Sequence, residues 1–282
     1  MPGGVDLHTH TTASDGTYSP TELVAEAAQR GVRVLAVTDH DSTEGLPEAM
    51  AAAERHRPLE IIAGIEINCD VEGAEIHILG YLMDWQAPWF QEFCRGQRRE
   101  RRERVHRMVE RLAGLGMAVD AEEVFAIVKE GSAGRPHVAQ VMLARGYVRT
   151  VREAFDKYLG SGKPAHVPRR KLTPAEAVRL LRQAGGVPVF AHPGLADRDA
   201  LIPDLIAAGM MGIECYYPEH SAGQRAAYLQ LCHDHDLVAT GGSDFHGPRV
   251  RAATLGSPAV PMAAVDALRA RAGLSRSSAR VS

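Results

Sequence analysis

The chain has 282 residues, 45% of them hydrophobic, and a formal net charge of −3. That apolar content supports a full core, in one large α/β domain or two small ones, and the charge gives no global pull toward nucleic acid or membranes. Cys69, Cys94, Cys215 and Cys232 form no C-x-x-C pair and read as reduced thiols of a cytoplasmic protein, no apolar run approaches the ~18 residues of a membrane span, and Met1-Pro2-Gly3-Gly4 leads into a strand without room for a signal peptide.

Short β-branched runs alternate with amphipathic stretches. Val5–Thr9 is the first expected strand, and in Asp6-Leu7-His8-Thr9-His10 the two-residue period aims both imidazoles to one side. A helix follows over Pro20–Arg30, with Ser19 as N-cap, Pro20 at its first position and Gly31 closing it. Then come a strand at Val32–Thr38, a helix at Leu46–His56 and a strand at Ile61–Ile67. Glu75–Leu82 pairs back on Ile61–Cys69 as a hairpin turning at Glu72-Gly73.

From Trp85 to His166 the rhythm breaks into continuous helical pattern, with Gly160-Ser161-Gly162-Lys163-Pro164 as the return hinge. One helix there is crowded with arginines from Arg95 to Arg111. Glu92, Glu100, Glu103 and Glu110 interleave with them, so a solvated, salt-bridged face is expected rather than a nucleic-acid surface. The alternation resumes with helices at Pro174–Ala184, Arg198–Ala208 and Ala222–Asp236 and strands at Val187–Ala191, Gly212–Tyr216 and Leu237–Thr240. Such a pattern predicts a parallel, helix-covered sheet. Residues 1–84 and 167–274 are expected to be two halves of a barrel-like domain, 85–166 a helical insertion, and 275–282 a frayed tail.

The chemistry gathers where these strands end, as ligand-binding groups do in parallel α/β proteins. His8 and His10 end the first strand, and Asp15 follows in the loop. Thr38-Asp39-His40-Asp41 ends the second, Glu66 lies on the third, and His77 on its hairpin partner. Ala191-His192-Pro193, then Glu214 with His220 beyond it, then Asp244 and His246 complete the series. Singly, each has a plain structural reading: a core histidine, a turn residue, a helix cap. Together they predict a shared metal cluster of imidazoles and carboxylates.

His8-x-His10, Thr38-Asp39-His40-Asp41, Ala191-His192-Pro193 and Gly242-Ser243-Asp244-Phe245-His246 resemble, in order, the motifs of the PHP (polymerase and histidinol phosphatase) domain. The resemblance spans the chain outside the helical insertion. It implies a distorted seven-stranded β/α barrel, related to the amidohydrolases, with a three-metal site. Carried onto this chain, one metal takes His8, His10, Glu66 and Asp244. Glu66 bridges to a second held by His77 and His192, and Asp15, His40 and His246 take a third. Asp15 stands where many relatives have histidine. Its harder oxygen favours manganese or magnesium there, so two to three divalent ions are expected, manganese first, with magnesium, zinc or iron as alternatives.

The branch most resembled is that of 3′,5′-nucleotide bisphosphate phosphatases and 5′→3′ exonucleases of short RNA. Ser14-Asp15-Gly16, Asp41-Ser42-Thr43-Glu44-Gly45-Leu46 and Gly134-Arg135-Pro136-His137 carry that likeness. The implied activity is removal of the 3′-phosphate from nucleotide bisphosphates, with cleavage of short 5′-phosphorylated RNA beside it. Asp244 is expected to accept the proton of the attacking water, and His192 or His220 to serve the leaving group. Arg135, whose guanidinium can fork onto a phosphate, is expected to bind the second phosphate with His137, and His220-Ser221 to sit where a phosphate meets a helix start. Rival readings are another phosphomonoesterase, such as a histidinol-phosphate phosphatase-like enzyme, and a non-catalytic module. The substrate is the expected partner, with no membrane and no stable protein partner.

Overall fold

The computed structural model describes residues 4–71, 74–128, 133–168, 172–248 and 253–274. Two compact units result: Met1–Gln91 with Lys171–Ser282, and Glu92–Arg170. In the first, sheet order follows chain order through β1 (Val5–Asp6), β2 (Val34–Val37), β3 (Glu60–Val71), β4 (Ala74–Tyr81), β5 (Val187–Phe190), β6 (Gly212–Tyr216) and β7 (Val238–Gly241). All neighbours are parallel except at β4, which runs antiparallel to both β3 and β5. Past β7 the chain returns to the first strand: Leu7 N–H donates to Gly241 O (3.1 Å), Asp244 N–H to His8 O (2.8 Å) and His10 N–H to Phe245 O (2.9 Å). The barrel is therefore nearly closed, a seven-stranded β/α barrel whose distortion is the β3–β4 hairpin. The turn expected at Glu72-Gly73 lies outside the described residues, as does the tail at 275–282.

β1 is shorter than the Val5–Thr9 run because residues beyond Asp6 divide their bonds between two neighbours. Leu7 and His10 donate to the end of β7 and the segment after it, while Thr9 O accepts from Thr38 N (2.9 Å) just past β2. β3 is longer than expected because its register with β4 continues from Gly64↔Tyr81 to Val71↔Ala74.

Helices α1 (Pro20–Gln29) and α2 (Leu46–Ala53) follow β1 and β2. Ser19 and Glu22 form a capping box on α1: Ser19 Oγ accepts from Glu22 N (3.2 Å) and Glu22 Oε2 from Ser19 N (2.8 Å). Apart from the first residues of α3 (Pro88–Gly114), α3 to α6 belong to the second unit, with α4 at Ala121–Val128, α5 at Arg135–Ala144 and α6 at Val151–Ala154. Back in the first unit, α7 (Pro174–Gln183) repeats the capping box with Thr173 and Glu176. It is followed by α8 (Pro193–Ala196), α9 (Ile202–Ala208), α10 (Ala222–Asp234) and α11 (Met262–Arg271). Gly31 and Gly209 leave α1 and α9 at φ +78° and +104°, a region open to glycine at no steric cost.

Val5, Val34, Val189 and Val238 share one buried cluster with Val265 and Leu268 of α11. That helix is absent from the expected elements because its alanine-rich run offers only Met262, Val265 and Leu268 as large apolar residues. The second unit has its own core, including Met108, Leu112, Val124, Met142 and Leu159. Several of its arginines are engaged within it: Arg95 and Arg99 pair with Glu92 (2.9 and 3.1 Å), Arg102 lies 3.8 Å over the Phe125 ring, and Arg104 donates to Val167 O. Among the described residues no helix is long and apolar enough to cross a membrane.

Candidate metal and phosphoester site

The parallel strands deliver their last side chains to one end of the barrel, and the β3–β4 pair adds two from its interior. Nine side chains meet there: His8, His10, Asp15, His40, Glu66, His77, His192, Asp244 and His246. Glu66 is the centre. Its Oε1 lies 2.9 Å from His77 Nδ1 and 3.1 Å from His192 Nε2, while Oε2 lies 3.3, 3.2 and 3.0 Å from His8 Nε2, His10 Nε2 and His40 Nδ1. Asp244 Oδ1 faces His8 Nε2 (3.5 Å), His10 Nε2 (3.3 Å) and His246 Nδ1 (3.4 Å). Asp15, about a third exposed at 34%, approaches His246 Nε2 at 3.3 Å and His10 and His40 at 3.8 Å.

The ligand atoms form overlapping sets rather than three separate ones: His10, Asp15, His40 and His246; His8, His192 and Asp244; His8, His10 and Glu66; His40, Glu66 and His77. Each set spans no more than 4.8 Å, so one imidazole can serve more than one position.

This arrangement fits divalent cations on two grounds. His8 Nε2 and His10 Nε2 stand 3.1 Å apart with Glu66 Oε2 against both, a convergence of electron pairs that needs positive charge between them. Asp15 Oδ1, His40 Nδ1, Glu66 Oε2, His77 Nε2 and His192 Nδ1 are buried without a hydrogen-bond partner among the described residues, a costly state unless another electrophile meets them. The electrostatics agree. Burial alone would lift the Glu66 carboxyl, yet His40, His8 and His77 hold it well below the usual carboxylate range. Burial pulls the His8 imidazole down, but Glu214 and Glu66 outweigh it and raise it to about 10. At His77 the same contest, with Glu66 as partner, ends at about 9. At His40, His192 and His246 burial prevails and lowers the imidazoles.

Buried polar groups hold these side chains in place. Asp6, raised by burial, accepts from Ser243 N (2.9 Å), Ser243 Oγ (2.7 Å), Gly256 N (2.8 Å) and His8 N (3.3 Å). It thereby fastens the loop bearing Asp244 to the strand bearing His8. Asp39 accepts from Thr11 N (2.7 Å), Thr11 Oγ1 (2.7 Å) and Ser14 Oγ (2.6 Å), fixing the loop that presents Asp15. Tyr217 donates to Asp244 Oδ2 (2.8 Å), which leaves Oδ1 for the imidazoles. Glu214 accepts from His8 Nδ1 (2.9 Å) and His192 N (2.8 Å). Asp41, His192 and Asp244 take φ of 51°, 29° and 52° at strand ends, a conformation costing non-glycine residues about 1–3 kcal/mol each and typical of functional sites. Sequence reasoning gave Asp6 no role and counted Glu214 among the strand-end groups of the cluster, not as a support. The only available signal was an acidic residue inside an apolar, strand-length run.

His220 belongs to the first unit and is half-buried. Its Nδ1 faces Cys215 O (3.2 Å) and its Nε2 accepts from Gly194 N (3.2 Å), so both ring nitrogens are taken by backbone. Ser221 caps α10 in a box with Gln224. Arg135 and His137 belong to the second unit, where Arg135 stands 5.8 Å from the Phe155 ring centroid and His137 Nδ1 accepts from Gly134 N (3.2 Å).

A nearly closed β/α barrel with imidazoles and carboxylates massed at its strand ends is the architecture of a metal-dependent phosphoester hydrolase. Residues 6–109 match the PHP domain model. The chain is 36% identical over 258 residues to the 3′,5′-nucleoside bisphosphate phosphatase of Chromobacterium violaceum, covering 86% of this chain and 87% of that one. It is 34% identical over 249 residues to the 5′-3′ exoribonuclease Rnm of Salmonella typhimurium, covering 86% and 85%. A crystal structure from Bifidobacterium adolescentis, assigned as a metal-dependent phosphoesterase, superposes with a TM-score of 0.84 at 32% identity, over 96% of this chain and 98% of that one. The chain belongs to the PHP domain family.

Proposed function

We propose that this enzyme removes the 3′-phosphate of nucleoside 3′,5′-bisphosphates, converting adenosine 3′,5′-bisphosphate to AMP and phosphate, and that it also shortens 5′-phosphorylated RNA oligomers from the 5′ end. The observation that carries this reading is the gathering of nine ligand-type side chains, five of whose imidazoles meet the Glu66 carboxylate. Similarity to a bisphosphate phosphatase and an exoribonuclease over most of all three chains supports the substrate class. Both reactions break an ester at the 3′-oxygen of a nucleotide that keeps its 5′-phosphate, so one site can perform both.

His8, His10, Glu66 and Asp244 would hold one divalent ion, Glu66, His77 and His192 a second, and Asp15, His40 and His246 a third. Manganese is favoured because Asp15 adds a hard oxygen to the imidazoles. When bound, such ions lower the pKa of water and neutralise charge on phosphoryl oxygens. The chain's own groups do the rest. Asp244, its Oδ2 held by Tyr217, accepts the proton of the attacking water at its carboxylate. Of the two candidate donors to the leaving oxygen, His192 is the one whose ring keeps an Nδ1 with no hydrogen-bond partner among the described residues. His220 would have to break a backbone bond to exchange a proton. Arg135 and His137 are assigned to the second phosphate, with His220 and Ser221 as further contacts. Ser221 Oγ accepts from Gln224 N (3.2 Å) and keeps its hydroxyl hydrogen to donate. Residues 1–84 and 167–274 form the catalytic barrel in this reading, and 85–166 serve recognition. Four cysteines read as reduced thiols fit a reducing, cytoplasmic setting.

Side-by-side assays of adenosine 3′,5′-bisphosphate and a short 5′-phosphorylated oligoribonucleotide test the proposal. Phosphate from the first and successive mononucleotides from the second are expected. Hydrolysis of simple phosphomonoesters with neglect of both would favour the rival phosphatase.

A further inference from the structure

We propose that Glu214 is a positioning residue that sets which ring nitrogen of His8 faces the metal cluster and, with its other oxygen, pins the backbone of His192. The inference rests on the metal-dependent reading of the site. Glu214 lies on β6, fully buried, within the wall of the barrel. Its Oε1 meets His8 Nδ1 at 2.9 Å. A carboxylate oxygen only accepts, so the hydrogen of this bond sits on Nδ1. In the neutral ring that ligation requires, the lone pair is thereby left on Nε2, the atom that faces His10 Nε2, Glu66 Oε2 and Asp244 Oδ1 at 3.1, 3.3 and 3.5 Å. Without the carboxylate, the imidazole could equally place a hydrogen on Nε2 and present an N–H where a ligand electron pair is required. A carboxylate behind a ligating imidazole fixes tautomer and ring orientation in this way, and its loss typically costs about 10–100-fold in metal affinity.

The second oxygen extends the effect to another ligand. His192 N–H donates to Glu214 Oε2 at 2.8 Å, and His192 sits at φ 29°, ψ 57°, outside the helical and extended basins. Its backbone must be held there for Nε2 to reach Glu66 Oε1 at 3.1 Å. His8 and His192 come from opposite ends of the sequence, and their rings stack with centroids 5.7 Å apart. One side chain thus aligns two imidazoles on different faces of Glu66. Glu214 itself is absent from the ligand sets, and both its oxygens are already engaged. It acts through its neighbours.

Glu214→Gln separates this role from simple packing. The amide matches the carboxylate in size but has a single acceptor oxygen, so it cannot receive both hydrogens. Zinc is the probe, being diamagnetic and open to nuclear magnetic resonance on the full chain with 15N-labelled histidine. In the wild type, zinc titration should leave His8 with a slowly exchanging Nδ1–H proton and Nε2 coordinated, the signal being assigned by its loss in His8→Gln. In Glu214→Gln that proton should vanish or broaden and the zinc Kd rise about 10–100-fold, while circular dichroism of the metal-free protein stays unchanged. An unchanged Kd with an unchanged Nδ1–H signal would overturn the proposal. So would coordination of wild-type His8 through Nδ1, a result that stands even if the variant does not fold. Failure of the wild type to bind zinc at all would instead bring down the metal-site reading beneath it.

Discussion

Asp39 offers a test of how the Asp15 arm of the site is built. Its carboxylate accepts three hydrogen bonds of 2.6–2.7 Å from Thr11 N, Thr11 Oγ1 and Ser14 Oγ, all buried. In Asp39→Ala, Ser14 Oγ can turn toward His10 Nδ1, 3.5 Å away, and Thr11 Oγ1 keeps its bond from Ala13 N at 3.1 Å. The Thr11 peptide N–H has no such escape and is left buried and unpaired. An orphaned donor costs about 1–3 kcal/mol and each lost bond about 0.5–1.5, so the substitution should destabilise the protein by about 2–6 kcal/mol. Against a total of about 5–15 kcal/mol that is a large share of the stability. Asp39→Asn can keep every bond, since its amide can donate to a reoriented Thr11 hydroxyl, and should cost less than about 1 kcal/mol. Urea denaturation of the metal-free proteins measures the first effect. Metal counting by mass spectrometry after manganese loading measures the second, and Asp39→Ala should retain one ion fewer than the wild type. A loss below about 1 kcal/mol for alanine, or an undiminished ion count beside a large loss, would refute the reasoning.

Replacing Asp244 with Asn removes the proposed proton acceptor and should lower kcat at least about a hundredfold, with folding intact by circular dichroism. Arg135→Ala should raise KM for a nucleoside 3′,5′-bisphosphate by about 10–100-fold, a bidentate charged contact, and leave KM for a 3′-monophosphate nearly unchanged. A Cβ at Gly242 would lie 2.3 Å from His8 N and 2.5 Å from His8 Cβ, backbone and stem atoms that cannot swing aside. Gly242→Ala should therefore cost about 1–3 kcal/mol in urea unfolding and weaken metal binding with it. Ligation requires unprotonated imidazoles. His8 and His77 are raised to about 10 and about 9 in the metal-free protein, so they hold protons at neutral pH. Zinc affinity measured by calorimetry should increase from pH 6 to pH 8, with proton release visible in buffers of different ionisation enthalpy.

The fold was readable where side-chain chemistry repeats at the right period. Ser19-Pro20 and Thr173-Pro174 announce capped helices, and both become capping boxes. The β3–β4 pairing was legible from two β-branched runs close together in sequence. The cluster was legible as residue types at strand ends, because imidazoles interrupt apolar runs conspicuously. Its partition was not. Ligand atoms within 4.8 Å of one another belong to several sets at once, and sequence order carries no trace of that sharing. Nor did it show the support. Asp6 lies inside a strand that looks like ordinary barrel wall and Glu214 reads as one more strand-end acid, and their supporting parts appear only when residues 237 and 206 positions away supply the donors. The positive φ of His192 and Asp244 is equally silent, since neither residue type requires it. α11 was hidden by alanines, which fit a helix without advertising a face.

The central claim is cleavage at the 3′-ester of a nucleotide that keeps its 5′-phosphate, by a site that needs divalent ions. Phosphorus NMR of adenosine 3′,5′-bisphosphate incubated with manganese-loaded protein, and with the same protein after chelation, tests it directly. The expected products are 5′-AMP and inorganic phosphate, formed with the metal and not without it. Release of the 5′-phosphate to give 3′-AMP, or equal turnover after chelation, would contradict the account.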